Sequence, residues 1–297
     1  MKRGALFSFA LSMAIFGSIG VFRKYIELPS GLIAAVRGFV GVLFLVGVML
    51  LMKKRPSLAA IKRNLLPLVL SGIAIGVNWI MLFESFNYTS VATATLCYYM
   101  APVLVVIASP IFLRERIGGP RLVAVLVALV GMVLVSEVWA LDIGSSGAVG
   151  ILLALGAAAL YASVTLINKR IKEIEPYDKT VVQLTVAATV ILPYTIFFEK
   201  IEPSSVTPTA VILLLTVGIL HTGMAYALYF GSVGNLPSTS IAVLSYLDPI
   251  LSIILAALLL GEQMTVFGII GAVLIILSTL FSELFPFIRE KLAEKSK

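Results

Sequence analysis

A chain of 297 residues is long enough for about two soluble domains, but 60% of it is apolar, only 12% is charged and its mean hydropathy is +1.09. Soluble domains carry roughly 25% charged residues, so this composition excludes an ordinary water-soluble fold and makes lipid the solvent. The net charge of +7 does not imply a nucleic-acid partner, because the basic residues lie between apolar runs. The single cysteine, Cys97, falls inside an apolar run, which excludes an intramolecular disulfide and a paired-cysteine metal site. The N-terminus, Met1, Lys2 and Arg3 followed by apolar residues from Gly4 to Phe22, has the charge order of a signal peptide. Its apolar part is too long and no clean cleavage site follows, so it reads as a retained first helix.

A bilayer core of about 30 Å takes about 20 apolar residues in helical form. Ten such runs follow in chain order: 4–22, 29–52, 65–86, 89–113, 119–140, 147–168, 178–198, 209–230, 236–260 and 264–287. Their connections are short and turn-like, as in Glu27-Leu28-Pro29-Ser30-Gly31 and Gly118-Gly119-Pro120, so the function belongs within the membrane. With the N-terminus in the cytoplasm, the inner loops and tails hold 18 lysines and arginines and the outer loops hold 3 (Arg23, Lys24 and Lys200). Positive loops stay inside, which predicts a multi-pass protein of the cytoplasmic membrane with both termini cytoplasmic. The basic excess is then a matter of topology and of anionic lipid headgroups.

An offset of 147 residues superposes two stretches of the chain. Tyr99 falls on Tyr246, Pro102 on Pro249, Glu115 on Glu262, Phe83 on Phe230 and Trp79 on Tyr226. Each copy contains five spans, an odd number, so the second enters the membrane in the opposite sense to the first. The expected fold is an all-α polytopic membrane protein of ten transmembrane helices, arranged as two inverted five-helix repeats over 1–140 and 147–287, with a charged cytoplasmic tail at 288–297. Many secondary transporters are built this way, with the substrate site near the midplane.

The small residues and Pro102 leading to Leu113-Arg114-Glu115-Arg116-Ile117, repeated as Asp248-Pro249 and Leu259-Leu260-Gly261-Glu262-Gln263-Met264-Thr265, resemble the EamA-type branch of the drug/metabolite transporter superfamily. The resemblance covers nearly the whole chain and includes Arg37 within Ala34-Ala35-Val36-Arg37-Gly38-Phe39. It implies a ten-helix permease for small metabolites that works by alternating access, with helices 1–4 and 6–9 around a central cavity and helices 5 and 10 at the periphery. It implies no particular substrate. The chain departs from its own repeat where Ala101 faces Asp248.

Ionisable groups within a span are costly and tend to mark a pathway or to pair with one another. Arg37 is a candidate holder of a substrate carboxylate, or a structural cation. Asp248 could serve as proton carrier, cation ligand or partner of Arg37. His221, the only histidine, suits proton coupling or hydrogen bonding within the core. Asn78, Trp79, Tyr98, Tyr99, Tyr161, Tyr226, Tyr229 and Tyr246 lie well inside the spans, where tyrosine and tryptophan need partners or a wet cavity, and are candidate lining. Pro102 and Pro249 are candidate hinges. Gly72 and Gly76 read as a close helix contact, and Glu115 and Glu262 as capping or loop-fixing residues.

The sequence holds no phosphate-binding loop, no metalloprotease or nucleophile-elbow motif and no metal-ligand set, so it predicts no enzyme, cofactor or metal. The expected activity is secondary active transport of a small organic metabolite, an amino acid or similar amphipathic solute, in the direction of export or import. Other carriers open to the same sequence are a lipid or lipid-linked flippase and a transporter of cationic, drug-like compounds; a membrane-embedded enzyme is the remote alternative. The expected partners are a small-molecule substrate, membrane lipid and a coupling proton or ion, with no nucleic acid, in a monomer or homodimer.

Overall fold

The computed structural model describes residues 3–112, 119–137, 146–233, 235–236, 241 and 244–295. They form helices joined by short turns, with no strand among the described residues. Among the described residues, seven helices are long and apolar enough to cross a membrane: Gly4–Tyr25, Ser30–Leu51, Leu65–Tyr88, Val91–Phe112, Ser146–Asn168, Pro176–Phe198 and Pro208–Ser232. Three shorter apolar helices, Leu122–Val135, Leu247–Leu260 and Val266–Ser278, occupy the other expected runs. The protein is a polytopic, all-helical membrane protein.

In chain order the helices are α1 (Arg3–Tyr25), α2 (Ser30–Leu51), the short α3 (Leu58–Arg63), α4 (Leu65–Tyr88), α5 (Val91–Tyr98), α6 (Ala101–Phe112), α7 (Gly119–Ser136), α8 (Ser146–Asn168), α9 (Pro176–Phe198), α10 (Pro208–Thr216), a π-helical segment (Val217–Met224), α11 (Ala225–Val233), α12 (Leu247–Leu260) and α13 (Val266–Lys295). Their ends follow local chemistry. Ser90 accepts from Thr93 N at the start of α5 and Thr207 accepts from Ala210 N at the start of α10, the usual side-chain caps. Gly261, at φ +67°, ends α12 in the left-handed conformation, and Glu262 N donates back to Ala256 O. That six-residue closure needs a glycine at the turn.

The expected runs 89–113 and 236–260 carry Pro102 and Pro249 in mid-helix, and the structure corrects this. The chain breaks at Tyr99–Met100, so Pro102 is the second residue of α6, and Pro249 is the third residue of α12. A proline in a first helical turn gives up an N–H that has no intrahelical acceptor there, and it keeps its preset φ. The two symmetry-matched tyrosines sit at the two breaks in nearly the same conformation, Tyr99 at φ −70°, ψ 3° and Tyr246 at φ −75°, ψ −7°.

Packing is interleaved along the chain. The first helix packs on α11 and α12, while α8 packs on α4, α5 and α6. Centrally, α2 packs on α9, which also meets α4, and on the π segment; at the edge α7 packs on α13. Glycines allow these approaches. A Cβ at Gly38 would stand 2.8 Å from that of Ala188, one at Gly76 2.9 Å from Ala187 O, and one at Gly131 2.8 Å from Gly271 O. The predicted Gly72 and Gly76 pair thus faces α9, where close backbone contact substitutes for the hydrophobic drive that lipid removes.

Candidate functional site

A cavity of about 700 Å³ runs through the middle of this packing, bounded by α1, α2, α4, α5, α6, α8, α9, α11 and α12, with Ala124 and Val125 of α7 and Ser278 of α13 reaching its wall. That volume is in the range of small-molecule sites. It reaches the face of the protein on which α1 begins, where Asn168, Lys169 and Lys179 line it. Toward the opposite face it ends at the buried rings of Phe83 and Phe86.

Arg37 lies deep in the cavity and is 4% exposed. Its Nε donates to Thr222 Oγ1 at 3.0 Å, and its guanidinium lies over the Trp79 ring at 4.1 Å and the Phe83 ring at 5.2 Å from the centroids. The aromatic faces offset part of the desolvation of the cation while the remaining guanidinium donors lie beside the cavity. Asp248, in the first turn of α12, also lines it. No ion pair joins Arg37 and Asp248 among the described residues, so the cavity carries a fixed cation and a separate carboxyl group. The partnership left open by the sequence does not form here.

Aromatic rings make up much of the wall. Tyr98 packs on Tyr161 with centroids 5.6 Å apart and on Tyr99 at 6.5 Å, and its hydroxyl donates to Asn78 Oδ1 at 3.4 Å. Tyr226 packs edge-on against Phe16 at 5.3 Å and stacks on Phe230 at 5.9 Å. Trp79, Tyr229 and Tyr246 line the same space. On the π segment and α11, Tyr226 and Tyr229 face the cavity, whereas Thr222 is fully buried against Arg37. On α8, Tyr161, Thr165 and Asn168 all line the cavity.

His221 is elsewhere. It is fully buried and does not line the cavity; Ser18 Oγ lies 2.9 Å from its Nε2, and Phe22 packs edge-on at 4.7 Å. It ties the π segment to α1, and Thr222 in the next position ties that segment to Arg37 of α2. π-turns of this kind recur at functional sites. Pro102 lines the cavity, whereas Pro249 is buried and does not.

On the face opposite the cavity's mouth, polar contacts join the helix ends. Arg23, 5% exposed, donates to Ile26 O, Ser30 Oγ and Asn87 Oδ1, while Ser30 Oγ and Asn87 Nδ2 donate to Glu84. Glu199 accepts from Gly31 N and Leu32 N at 2.7 and 3.0 Å, and Glu262 accepts from Val91 N and Ala92 N at 2.8 and 3.0 Å. Each carboxylate holds two N–H groups that a helix start cannot satisfy itself. Glu115, the repeat partner of Glu262, lies outside the described residues. Sequence reasoning did not link Thr222 to Arg37, 185 positions away, and counted Lys169 and Lys179 only as loop charges.

The profile of the EamA-like transporter family matches the chain twice, over residues 3–137 and 148–284. An uncharacterized transporter of Bacillus subtilis, YxxF, is 31% identical over 275 residues, covering 92% of this chain and 88% of that one. An uncharacterized transporter of Clostridium kluyveri is 28% identical over 254 residues, with 81% of each chain covered. One solved crystal structure superposes on 96% of this chain and 98% of its own with a TM-score of 0.66 at 17% identity, a likeness of fold alone.

Proposed function

We propose, from the premise that this chain belongs to the EamA-like transporter family and is a membrane transporter, that it moves a small amphipathic metabolite by secondary active transport. The solute binds between two inverted five-helix halves. Support for the inverted halves comes from the exchange symmetry of the packing, in which α1 with α11 and α12 mirrors α8 with α4, α5 and α6, and from the matched bends at Tyr99 and Tyr246.

The single observation that carries the substrate reading is the coexistence of Arg37 and Asp248, with no ion pair between them among the described residues, in one aromatic-walled cavity. A zwitterion such as an amino acid satisfies both: its carboxylate meets the guanidinium, its ammonium meets the Asp248 carboxylate, and its side chain lies against Trp79, Tyr98 and Tyr226. Ions left alone at this depth are costly, so a ligand that neutralises both gains affinity from each. On the positive-inside rule the face where α1 begins and Lys169 and Lys179 lie is cytoplasmic. The cavity is then open inward and sealed outward, and alternating access turns on the breaks ahead of Pro102 and Pro249.

Thermal stability of the purified protein against zwitterionic, anionic, cationic and neutral metabolites tests this. A ligand at 100 times its Kd stabilises the native state by about 2.7 kcal/mol. Stabilisation by zwitterions that is lost in both Arg37→Gln and Asp248→Asn is the expected result. Stabilisation by cations alone that survives Arg37→Gln refutes the zwitterion site.

A further inference from the structure

We propose that Lys169 and Lys179 form a cationic filter at the cavity's mouth, one that concentrates solutes bearing a carboxylate or other anionic group and turns away cations that carry none. The inference rests on the reading of the cavity as the transport site and adds the charge class admitted to it.

The corner where α8 ends and α9 begins holds several acidic residues, and they are committed elsewhere. Glu173 pairs with Arg63 at 2.6 Å, Glu175 pairs with Lys54 at 3.8 Å, and Asp178 accepts from Ser57 N at 2.9 Å. All three draw the α2–α4 connection onto this corner. Lys169 and Lys179, the two lysines that line the cavity, have no carboxylate partner among the described residues. Lys179 is also placed against its helix's own field. It is the fourth residue of α9 and half-buried, where the helix dipole is positive and a lysine is locally unfavourable. A position that costs local stability and leaves its charge facing a cavity is accounted for by what passes through that cavity.

The opposite face has the reverse polarity. Its cleft, about 490 Å³, is lined by Glu27, Glu84, Glu199 and Glu202 against Arg23 and Lys200. A solute with an anionic end is drawn to the lysine mouth, passes to Arg37, and meets carboxylates on the far side. Charges at a mouth raise the local concentration and on-rate of oppositely charged solutes. They change the apparent KM on that side and leave the overall equilibrium to the gradients.

Collisional quenching of Trp79 fluorescence tests the filter without knowledge of the substrate. Trp79 lines the cavity, and Trp139→Phe removes the only other tryptophan. The probes are iodide, caesium and acrylamide, applied to protein in a neutral detergent. At ~0.1 M ionic strength, where the Debye length is ~10 Å, two unit charges at ~10 Å in a water-filled mouth raise a monovalent anion's local concentration roughly 1.7-fold. Iodide should therefore quench Trp79 about 1.7 times more strongly in the parent than in Lys169→Gln/Lys179→Gln. Acrylamide quenching should be equal in the two proteins, which also certifies the fold, caesium should gain in the variant, and Lys169→Arg/Lys179→Arg should match the parent. Equal iodide quenching in parent and Gln variant overturns the filter, as does failure of acrylamide to reach Trp79 at all. Either failure is distinguishable from failure of the zwitterion site, which is read by the dependence of ligand stabilisation on Arg37 and Asp248.

Discussion

Replacing Glu262 by alanine removes a carboxylate that closes the start of α5 from 170 residues away. The first three N–H groups of α5 have no intrahelical acceptor. Glu262 takes those of Val91 and Ala92 at 2.8 and 3.0 Å, and Ser90 Oγ takes that of Thr93 at 3.0 Å; Ala94 N then makes the first helical bond, to Ser90 O. A hydrogen bond to a charged group contributes about 1.5–3 kcal/mol, and the carboxylate also complements the helix dipole by about 0.3–1 kcal/mol. Glu262 is half-exposed, so water recovers part of this, and a net loss of about 3 kcal/mol is expected. At ~2–3 °C per kcal/mol for a chain of this size, Glu262→Ala should lower Tm by about 6–9 °C in detergent. Glu262→Gln, which keeps one good acceptor, should lose about half as much. A Tm for Glu262→Ala within 1 °C of the parent would refute the clamp.

Three further outcomes follow from the packing and the cation site. Thr222→Val deprives Arg37 Nε of its acceptor and should lower stability by about 1.5–3 kcal/mol, whereas Thr222→Ser should stay within ~1 kcal/mol in the same melt; equal losses would show that the hydroxyl is not what matters. Gly38→Val places branched carbon against Ala188, where even a Cβ has only 2.8 Å, and overpacking of this kind typically costs about 1–3 kcal/mol. Its Tm should fall, and a companion Ala188→Gly should recover part of the loss. Gly131→Val wedges α7 from α13 at the Gly271 carbonyl, so stability should drop; Ala124 and Val125 of α7 and Ser278 of α13 reach the cavity wall, so acrylamide quenching of Trp79 should rise as well, and unchanged quenching would mean that the pair does not support the cavity.

The apolar runs were readable because a span in lipid needs length and hydropathy and little else. The 147-residue offset was readable because the bends recur with the same residues, Tyr99 and Pro102 against Tyr246 and Pro249. The exact place of the bends was not, since a proline breaks the chain on its N-terminal side and the sequence shows only the proline. Arg37 stood out as a cation in an apolar run, but its partner could be found only in space, because Thr222 comes from a helix in the other half. His221 looked like a titrating group by its chemistry; its packing against Ser18 and Phe22 depends on how α1 crosses the π segment, which no local pattern encodes. Lys169 and Lys179 were visible as positive charges near a membrane end. Which loop charges face a cavity depends on helix rotation and on which carboxylates the neighbouring basic residues have already taken.

The interleaved packing has a consequence for how the protein is made. Ser18, in the first helix to leave the ribosome, meets His221, 203 residues later in the chain. At ~5–20 residues per second of synthesis, that is roughly 10–40 s of waiting. During that time α1 sits in the bilayer without α11 and α12, its Ser18 and the face that will meet them turned to lipid, water or whatever escorts them. Truncated chains that stop before α11 should therefore be substrates for membrane proteases, and the two halves expressed as separate fragments should rescue each other. Biogenesis, more than the stability of the finished fold, is where a lesion in α1 should first be felt.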